Sequence, residues 1–356
     1  MESNLRKLGG SLRVPIVQEL AKKTLATVPP RYVRLDHDHD HPLPSNLSSS
    51  IPVIDFHKLF DSDSMDFELR KLHNACREWG FFQVINHGVD SEVIETMKLE
   101  IQEFFNLPIE EKKKYNQEAG DVEGYGQAFV VSEEQKLDWA DMFYILTSPT
   151  HLRKPHLIPK LPATFRNAIE SYSTELKALA MEILNQMAKA LKMKPEEIKV
   201  LFDEEGTMQG MRMNYYPPCP QPELVTGLCP HSDAVGLTIL LQVNEVEGLQ
   251  IKKDGNWVPV SPISGAFVIN IGDILEILTN GIYRSIEHRA TVNSQRERLS
   301  VATFLFGKLD GELGPAPSLV DLENPAKYKT IGLADFLRGF YTKELKGKSY
   351  LDTLRI

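Results

Sequence analysis

Along residues 165–193 apolar side chains recur three and four positions apart. Ile169, Leu176, Leu179, Ala180, Ile183, Leu184, Met187 and Leu191 form one stripe, which predicts a long helix lying on a core. Shorter helical patterns cover residues 14–27, 67–79, 91–105 and 331–346, with Ser91 as an N-cap and Gly347 as a helix stop. Residues 51–56 and 80–88 read as strands between these helices. From about residue 210 the texture changes to alternation and short apolar runs. Residues 234–243, 265–271, 283–290 and 297–304 read as strands, and residues 251–260 as a hairpin around Asp254-Gly255. Closely spaced strands imply a sandwich or barrel of the jelly-roll kind. The predicted class is mixed α+β, with helices before the β core and a helix after it. Divided along the chain, 1–50 is an N-terminal helix and polar linker, and 51–205 a region of helices and strands. Residues 206–310 are the β core and 311–356 a C-terminal helical extension.

The 356 residues are 42% hydrophobic and 25% charged, the composition of a globular protein with ample length for a core. A net charge of -9 argues against nucleic-acid and anionic-membrane surfaces as partners. No apolar run approaches a membrane span and no signal-peptide core opens the chain, so the expected location is cytoplasmic. Cys76, Cys219 and Cys229 are scattered and odd in number, which argues against a disulfide framework. His37, His39 and His41 stand in the polar stretch 35–50, where a solvated tract is a better reading than a metal site. No phosphate loop or dinucleotide glycine pattern follows a strand.

His231-Ser232-Asp233 precedes the apolar run 234–243, and His288 and Arg298-Leu299-Ser300 follow on separate strand-like segments. Residues two apart on a strand share a face, so His231 and Asp233 can grip one ion, with His288 reaching it from another strand. Two imidazoles and one carboxylate leave positions open, as in non-haem Fe(II) sites and unlike closed structural zinc. Arg298 and Ser300 share a face too, and a guanidinium fork beside a hydroxyl suits a carboxylate. Together they suggest a metal with open sites and a dicarboxylic co-substrate.

With Trp79-Gly80-Phe81-Phe82, Asp138-Trp139-Ala140-Asp141 and Asn214-Tyr215-Tyr216-Pro217-Pro218-Cys219-Pro220, these motifs resemble the plant 2-oxoglutarate- and Fe(II)-dependent dioxygenases over nearly the whole chain. Within that family the chain resembles the senescence-related-gene and codeine/thebaine demethylase group. The resemblance implies a distorted double-stranded β-helix of cupin-like kind. It implies His231, Asp233 and His288 as iron ligands, Arg298, Ser300 and Tyr216 on the distal carboxylate of 2-oxoglutarate, and Asn214 at its metal-binding end. Ascorbate is the implied reductant, with O2 and a small molecule as the other reactants. The implied reaction oxidises a C–H bond, giving hydroxylation, demethylation with loss of formaldehyde, or desaturation.

Positions matching the family's substrate pocket are Met142, Tyr144, Arg212, Phe304 and Phe306, with Tyr125 in a bordering loop. Phe306 stands where flavonoid-acting relatives carry a carboxylate, and Met142 where they carry an aromatic. A hydrophobic alkaloid, terpenoid or methylated phenolic therefore fits better than a polyhydroxylated flavonoid. An ascorbate-dependent oxidase of the ethylene-forming type and a non-catalytic cupin-like metal binder share the fold. The clamp formed by Arg298 and Ser300 argues against a mere metal binder. Oligomeric state is not written in the sequence.

Overall fold

Alternation along the longest strands sorts their side chains onto two faces, and this sorting builds the site. The computed structural model describes residues 11–23, 25–34, 51–118, 120–203, 205–345 and 347–356. The predicted linker and its His37–His41 tract lie outside the described residues. In chain order the main elements are α1 (Val17–Ala21), β1 (Val53–Asp55), α2 (Met65–Asn74), β2 (Phe81–Ile85), α3 (Ser91–Asn106), β3 (Gly124–Gly126), β4 (Asp141–Ser148) and α4 (Ala163–Leu191). The β-rich part follows as β5 (Thr207–Tyr216), β6 (Leu228–His231), β7 (Leu237–Gln242), β8 (Leu249–Lys253), β9 (Asn256–Pro259) and β10 (Phe267–Ile271). It closes with α5 (Asp273–Leu278), β11 (His288–Ala290), β12 (Arg298–Lys308) and α6 (Leu333–Tyr341).

Eight strands form the major sheet in the order β1-β2-β10-β7-β12-β5-β4-β3, and four form the minor sheet in the order β6-β11-β8-β9. The major sheet draws strands from both sides of the predicted division at 205/206. Leu299, Val301 and Leu305 of β12, with Met211 and Met213 of β5, join the buried stripe of α4 in the main core. The alternate residues of the same strands, Arg298, Ser300, Ala302 and Phe304 with Arg212, Asn214 and Tyr216, face a chamber shared with the minor sheet. Both faces of β12 are thus covered, which explains its nearly unbroken burial. The architecture is a double-stranded β-helix, with helices on the outer face of its major sheet. Among the described residues, no helix is long and apolar enough to cross a membrane.

Several boundaries differ from the sequence expectation, each for a local reason. The first helix is α1 alone rather than 14–27, and tertiary contacts hold it, above all at its N-terminal end. The buried Asp141 carboxylate accepts the Val17 and Gln18 amides at 2.8 and 2.7 Å. Asp90, not Ser91, caps α3, its carboxylate accepting the Glu92 amide at 2.8 Å. Of 283–290 only β11 is strand. The helix expected over 331–346 stops at Tyr341, a short helix follows at Ser349–Asp352, and Gly347 between them turns the chain with a φ of +52°. The Asp254-Gly255 turn between β8 and β9 is as expected, with both residues at positive φ.

Candidate metal and co-substrate site

His231 ends β6 and pairs across the minor sheet with His288, the first residue of β11. Asp233 is two residues further, in the connection to β7 rather than on the strand itself. A glycine at 272 permits this turn to pack closely, since a Cβ there would stand 2.0 Å from the Val235 carbonyl oxygen. The Asp233 carbonyl is fixed in turn by the Asp273 amide, at 2.8 Å.

The three side chains converge. Asp233 Oδ1 lies 3.5 Å from His231 Nε2 and 3.7 Å from His288 Nε2. One ligand atom from each residue falls within 4.8 Å of the others, and all three residues are buried. The surroundings fix which atoms are offered. His231 Nδ1 meets the Cys229 carbonyl at 2.8 Å, and His288 Nδ1 meets the Ile286 carbonyl at 3.1 Å. A carbonyl only accepts, so each Nδ1 carries the proton and each Nε2 presents its lone pair inward. Thr238 Oγ1 and Asn270 Nδ2 donate to Asp233 Oδ2 at 2.7 and 2.8 Å, which turns Oδ1 toward the imidazoles.

The charges suit a cation. Burial, helped by His231, pushes the His288 imidazole down to about 4, so it is neutral near pH 7. Burial alone would raise the Asp233 carboxyl, but His288, His231 and Thr238 hold it well below the usual carboxylate range. Two neutral nitrogens and one carboxylate oxygen on one side of a point, open toward a chamber, fit a divalent metal of the iron class.

Beside the metal cluster, Arg298 faces Tyr216 and Ser300 faces Asn214 on adjacent rungs of β12 and β5. Arg298 is only 2% exposed. Its Nη2 donates to Gln242 Oε1 at 2.9 Å and its Nη1 reaches Ser300 Oγ at 3.5 Å, while Nε is buried without a partner. The guanidinium lies 5.1 Å from the Tyr216 ring centre, and Asn214 Nδ2 donates to Ser300 Oγ at 3.4 Å. Among the described residues no carboxylate pairs with Arg298. Burial accordingly pulls its pKa below the ordinary value. A buried cation with an idle donor fits an incoming carboxylate.

Met142, Tyr144, Arg212, Phe304 and Phe306 all line the same chamber. Tyr125 does not, which corrects the sequence expectation. It pairs with Phe143, and on β4 the alternation sends Met142 and Tyr144 to the chamber but Phe143 to the helices. The Tyr125 ring therefore packs near Phe104 and Phe105. Its loop contributes Val122, Ala128 and Phe129 instead. The sequence reading also missed Thr238, Asn270 and Gln242, whose places on β7 and β10 follow only from sheet register. Missed too were Phe340, Tyr341 and Leu345, which roof the chamber; Tyr341 stacks on Phe129 at 5.5 Å with 5° between the rings.

The profile of the 2OG-Fe(II) oxygenase superfamily matches residues 207–307, and that of the non-haem dioxygenase in morphine synthesis N-terminal region matches residues 51–161. The chain is 62% identical to oxoglutarate-dependent flavonoid 7-O-demethylase 1 of Ocimum basilicum, covering 99% of this chain and 93% of that protein. It is 53% identical to thebaine 6-O-demethylase of Papaver somniferum over the full length of both. The crystal structure of JOX2 in complex with 2OG, Fe and JA superposes with a TM-score of 0.87 at 36% identity, covering 97% of this chain and 98% of that one. With this fold, this His-Asp-His cluster and these relatives, the chain belongs to the 2OG-Fe(II) oxygenase superfamily and is a 2-oxoglutarate-dependent dioxygenase.

Proposed function

We propose that the chain O-demethylates a flat, methoxylated phenolic of plant specialised metabolism. The observation that carries this reading is the chamber beside His231, Asp233 and His288, whose walls include Met142, Phe129, Phe304, Phe306 and Tyr341. Thioether and ring faces accept a planar aromatic skeleton and disfavour one bearing many hydroxyls. The relatives from Ocimum basilicum and Papaver somniferum are both O-demethylases by name, which supports demethylation over desaturation. A flavonoid whose hydroxyls are capped by methyl groups satisfies both the apolar wall and the similarity to a flavonoid enzyme.

In this reading His231, Asp233 and His288 hold the iron. Arg298, Ser300 and Tyr216 hold the distal carboxylate of 2-oxoglutarate, and Asn214 flanks its other end. Bound iron supplies activation of O2 coupled to decarboxylation of 2-oxoglutarate to succinate and carbon dioxide. The chain does the positioning. Thr238 and Asn270 keep one Asp233 oxygen turned inward, and Gln242 keeps the Arg298 fork level with Ser300. Met142, Phe304 and Phe306 hold one methoxy carbon toward the cluster, and the roof of Phe340 and Tyr341 excludes water. Insertion of one oxygen atom into that methyl group gives a hemiacetal, which releases formaldehyde and leaves the phenol. Ascorbate serves as the reductant that keeps iron ferrous.

The test supplies the protein with Fe(II), 2-oxoglutarate, ascorbate and a panel of methoxyflavones. Formaldehyde and the demethylated phenol should appear in step with succinate. Products that retain the methyl group while gaining oxygen or losing hydrogen would replace this reading with hydroxylation or desaturation.

A further inference from the structure

We propose that Ser11 and Leu12 are positioning residues for the substrate: they hold the backbone at Phe129 so that its ring closes the roof of the chamber. The proposal rests on reading that chamber as the substrate site, but not on which molecule fills it. Phe129 lines the chamber, stacks on Tyr341 with ring centres 5.5 Å apart and meets Phe340 edge-on at 5.6 Å. Its φ is +62°. A bulky residue seldom adopts that region, and it stays there only where its surroundings over-determine the backbone.

Those surroundings come largely from the N-terminal segment. Each backbone group from the Phe129 carbonyl to the Val131 amide is engaged. The Val130 amide donates to Ser11 Oγ at 3.2 Å, and the Val130 carbonyl accepts the Leu12 amide at 2.8 Å. On either side, Gln135 Nε2 donates to the Phe129 carbonyl at 2.7 Å and Gln135 Oε1 accepts the Val131 amide at 2.8 Å. Gln135 leans on the same segment, because Arg31 Nε donates to its carbonyl at 3.2 Å. The bend parts two consecutive side chains. Phe129 turns to the chamber, while Val130 joins a buried cluster with Val17, Val28, Tyr32, Leu137 and Trp139.

The N-terminal segment also reaches the other stem of this loop. The Ser11 amide donates to the Asp121 carbonyl at 3.3 Å, and Arg13 Nη2 donates to the Gln117 carbonyl at 3.1 Å. Between the two stems the loop sends Val122 and Ala128 to the chamber as well. Ser11, Leu12 and Arg13 thus bridge both stems of the roof loop, although none of the three lines the chamber. Without the bridge, Phe129 would relax to negative φ and its ring would leave Tyr341. The metal cluster and the Arg298 clamp stand on other strands. Loss of the bridge should therefore weaken the hold on the organic substrate and spare 2-oxoglutarate.

The experiment compares the full chain with Ser11→Ala, Leu12→Pro, the double variant and Ser11→Thr. Ser11→Ala removes the acceptor for the Val130 amide, Leu12→Pro removes the donor to its carbonyl, and Ser11→Thr keeps the hydroxyl. With a methoxyflavone as the probe, each single loss should raise its KM about threefold and the double variant about tenfold, the scale of one or two hydrogen bonds. The KM for 2-oxoglutarate should not move, and Ser11→Thr should match wild type. A purely structural role would lower the amount of active enzyme, and so kcat, without this split. In parallel, hydrogen exchange is followed across residues 128–131 of the protein loaded with Fe(II) and 2-oxoglutarate under nitrogen. The Val130 amide should exchange about tenfold faster in Ser11→Ala than in Ser11→Thr. An unchanged methoxyflavone KM in the double variant, or an equal rise in both KM values, overturns the proposal. Absence of methoxyflavone turnover by the wild-type protein overturns the O-demethylase reading alone. Exchange then decides the bridge: faster exchange in Ser11→Ala upholds it, and equal rates in the two Ser11 variants overturn it.

Discussion

Thr238 donates its hydroxyl to Asp233 Oδ2 at 2.7 Å, from a strand of the major sheet, whereas His231 and His288 belong to the minor sheet. The metal cluster therefore depends on how the two sheets seat against each other. Thr238→Val keeps the shape and removes the donor, leaving Asn270 as the remaining side chain on that oxygen. Loss of such a supporting contact typically weakens metal binding about 10- to 100-fold. Titration with Fe(II) or Co(II) should show a loss in that range, with the thermal midpoint little changed. Affinity equal to wild type would mean that Asn270 alone orients the carboxylate.

Arg298→Ala removes the cation on the β12 face while leaving His231, Asp233 and His288 in place. Truncating one partner of a buried charged pair costs about 2–5 kcal/mol, or roughly 30-fold to several thousand-fold in affinity. The 2-oxoglutarate concentration needed for half-maximal turnover should rise by such a factor, with Fe(II) affinity preserved. An unchanged requirement would move the carboxylate clamp elsewhere.

Phe304 lies between Tyr144 and Phe306, with ring centres 6.5 and 6.1 Å away. A stacked aromatic contact contributes about 0.5–1.5 kcal/mol beyond burial. Phe304→Ala should raise the KM for a methoxyflavone about 2- to 10-fold and let 2-oxoglutarate be consumed without matching formaldehyde. Intact coupling in this variant would place the skeleton against another wall.

Asp141 gives a pH signature to the docking of α1. Burial pushes its carboxyl up to about 7, against the opposing pull of the Gln18 and Val17 amides. A carboxyl raised in the folded state contributes stability that is fully present below its unfolded value near 3.8 and is lost as pH rises through about 7. Over that window this group should make stability fall with pH, by at most about 1.4 kcal/mol per pH unit. Asp141→Asn cannot ionise, so denaturant titrations at several pH values should show a shallower fall for the variant. Identical slopes would assign the pH dependence to other groups.

How much of this was legible in the sequence follows from the range of the forces involved. The α4 stripe and the Asp254-Gly255 hairpin are set by neighbours a few positions away, so periodicity and turn chemistry reveal them. The convergence of His231, Asp233 and His288, and the shared face of Arg298 and Ser300, were legible because strand alternation fixes which side chains point the same way. Thr238, Asn270 and Gln242 were hidden, since an ordinary strand residue becomes a partner only through the register of β7, β10 and β12. Tyr125 was misplaced for the same reason: one position of alternation separates the chamber face from the helix face. The early end of α6 reflects tertiary packing, which leaves Leu345 to roof the chamber and Gly347 to pair beside His231.

The Phe129–Tyr341 stack joins two segments that are more than 200 positions apart and hold none of the metal-cluster side chains. The ceiling of the chamber is therefore carried apart from the strands that hold the metal cluster, while Phe304 and Phe306 share a strand with Arg298 and Ser300. Changes at residues 128–130 and 340–345 would remodel the ceiling while leaving the side chains of His231, Asp233 and His288 untouched.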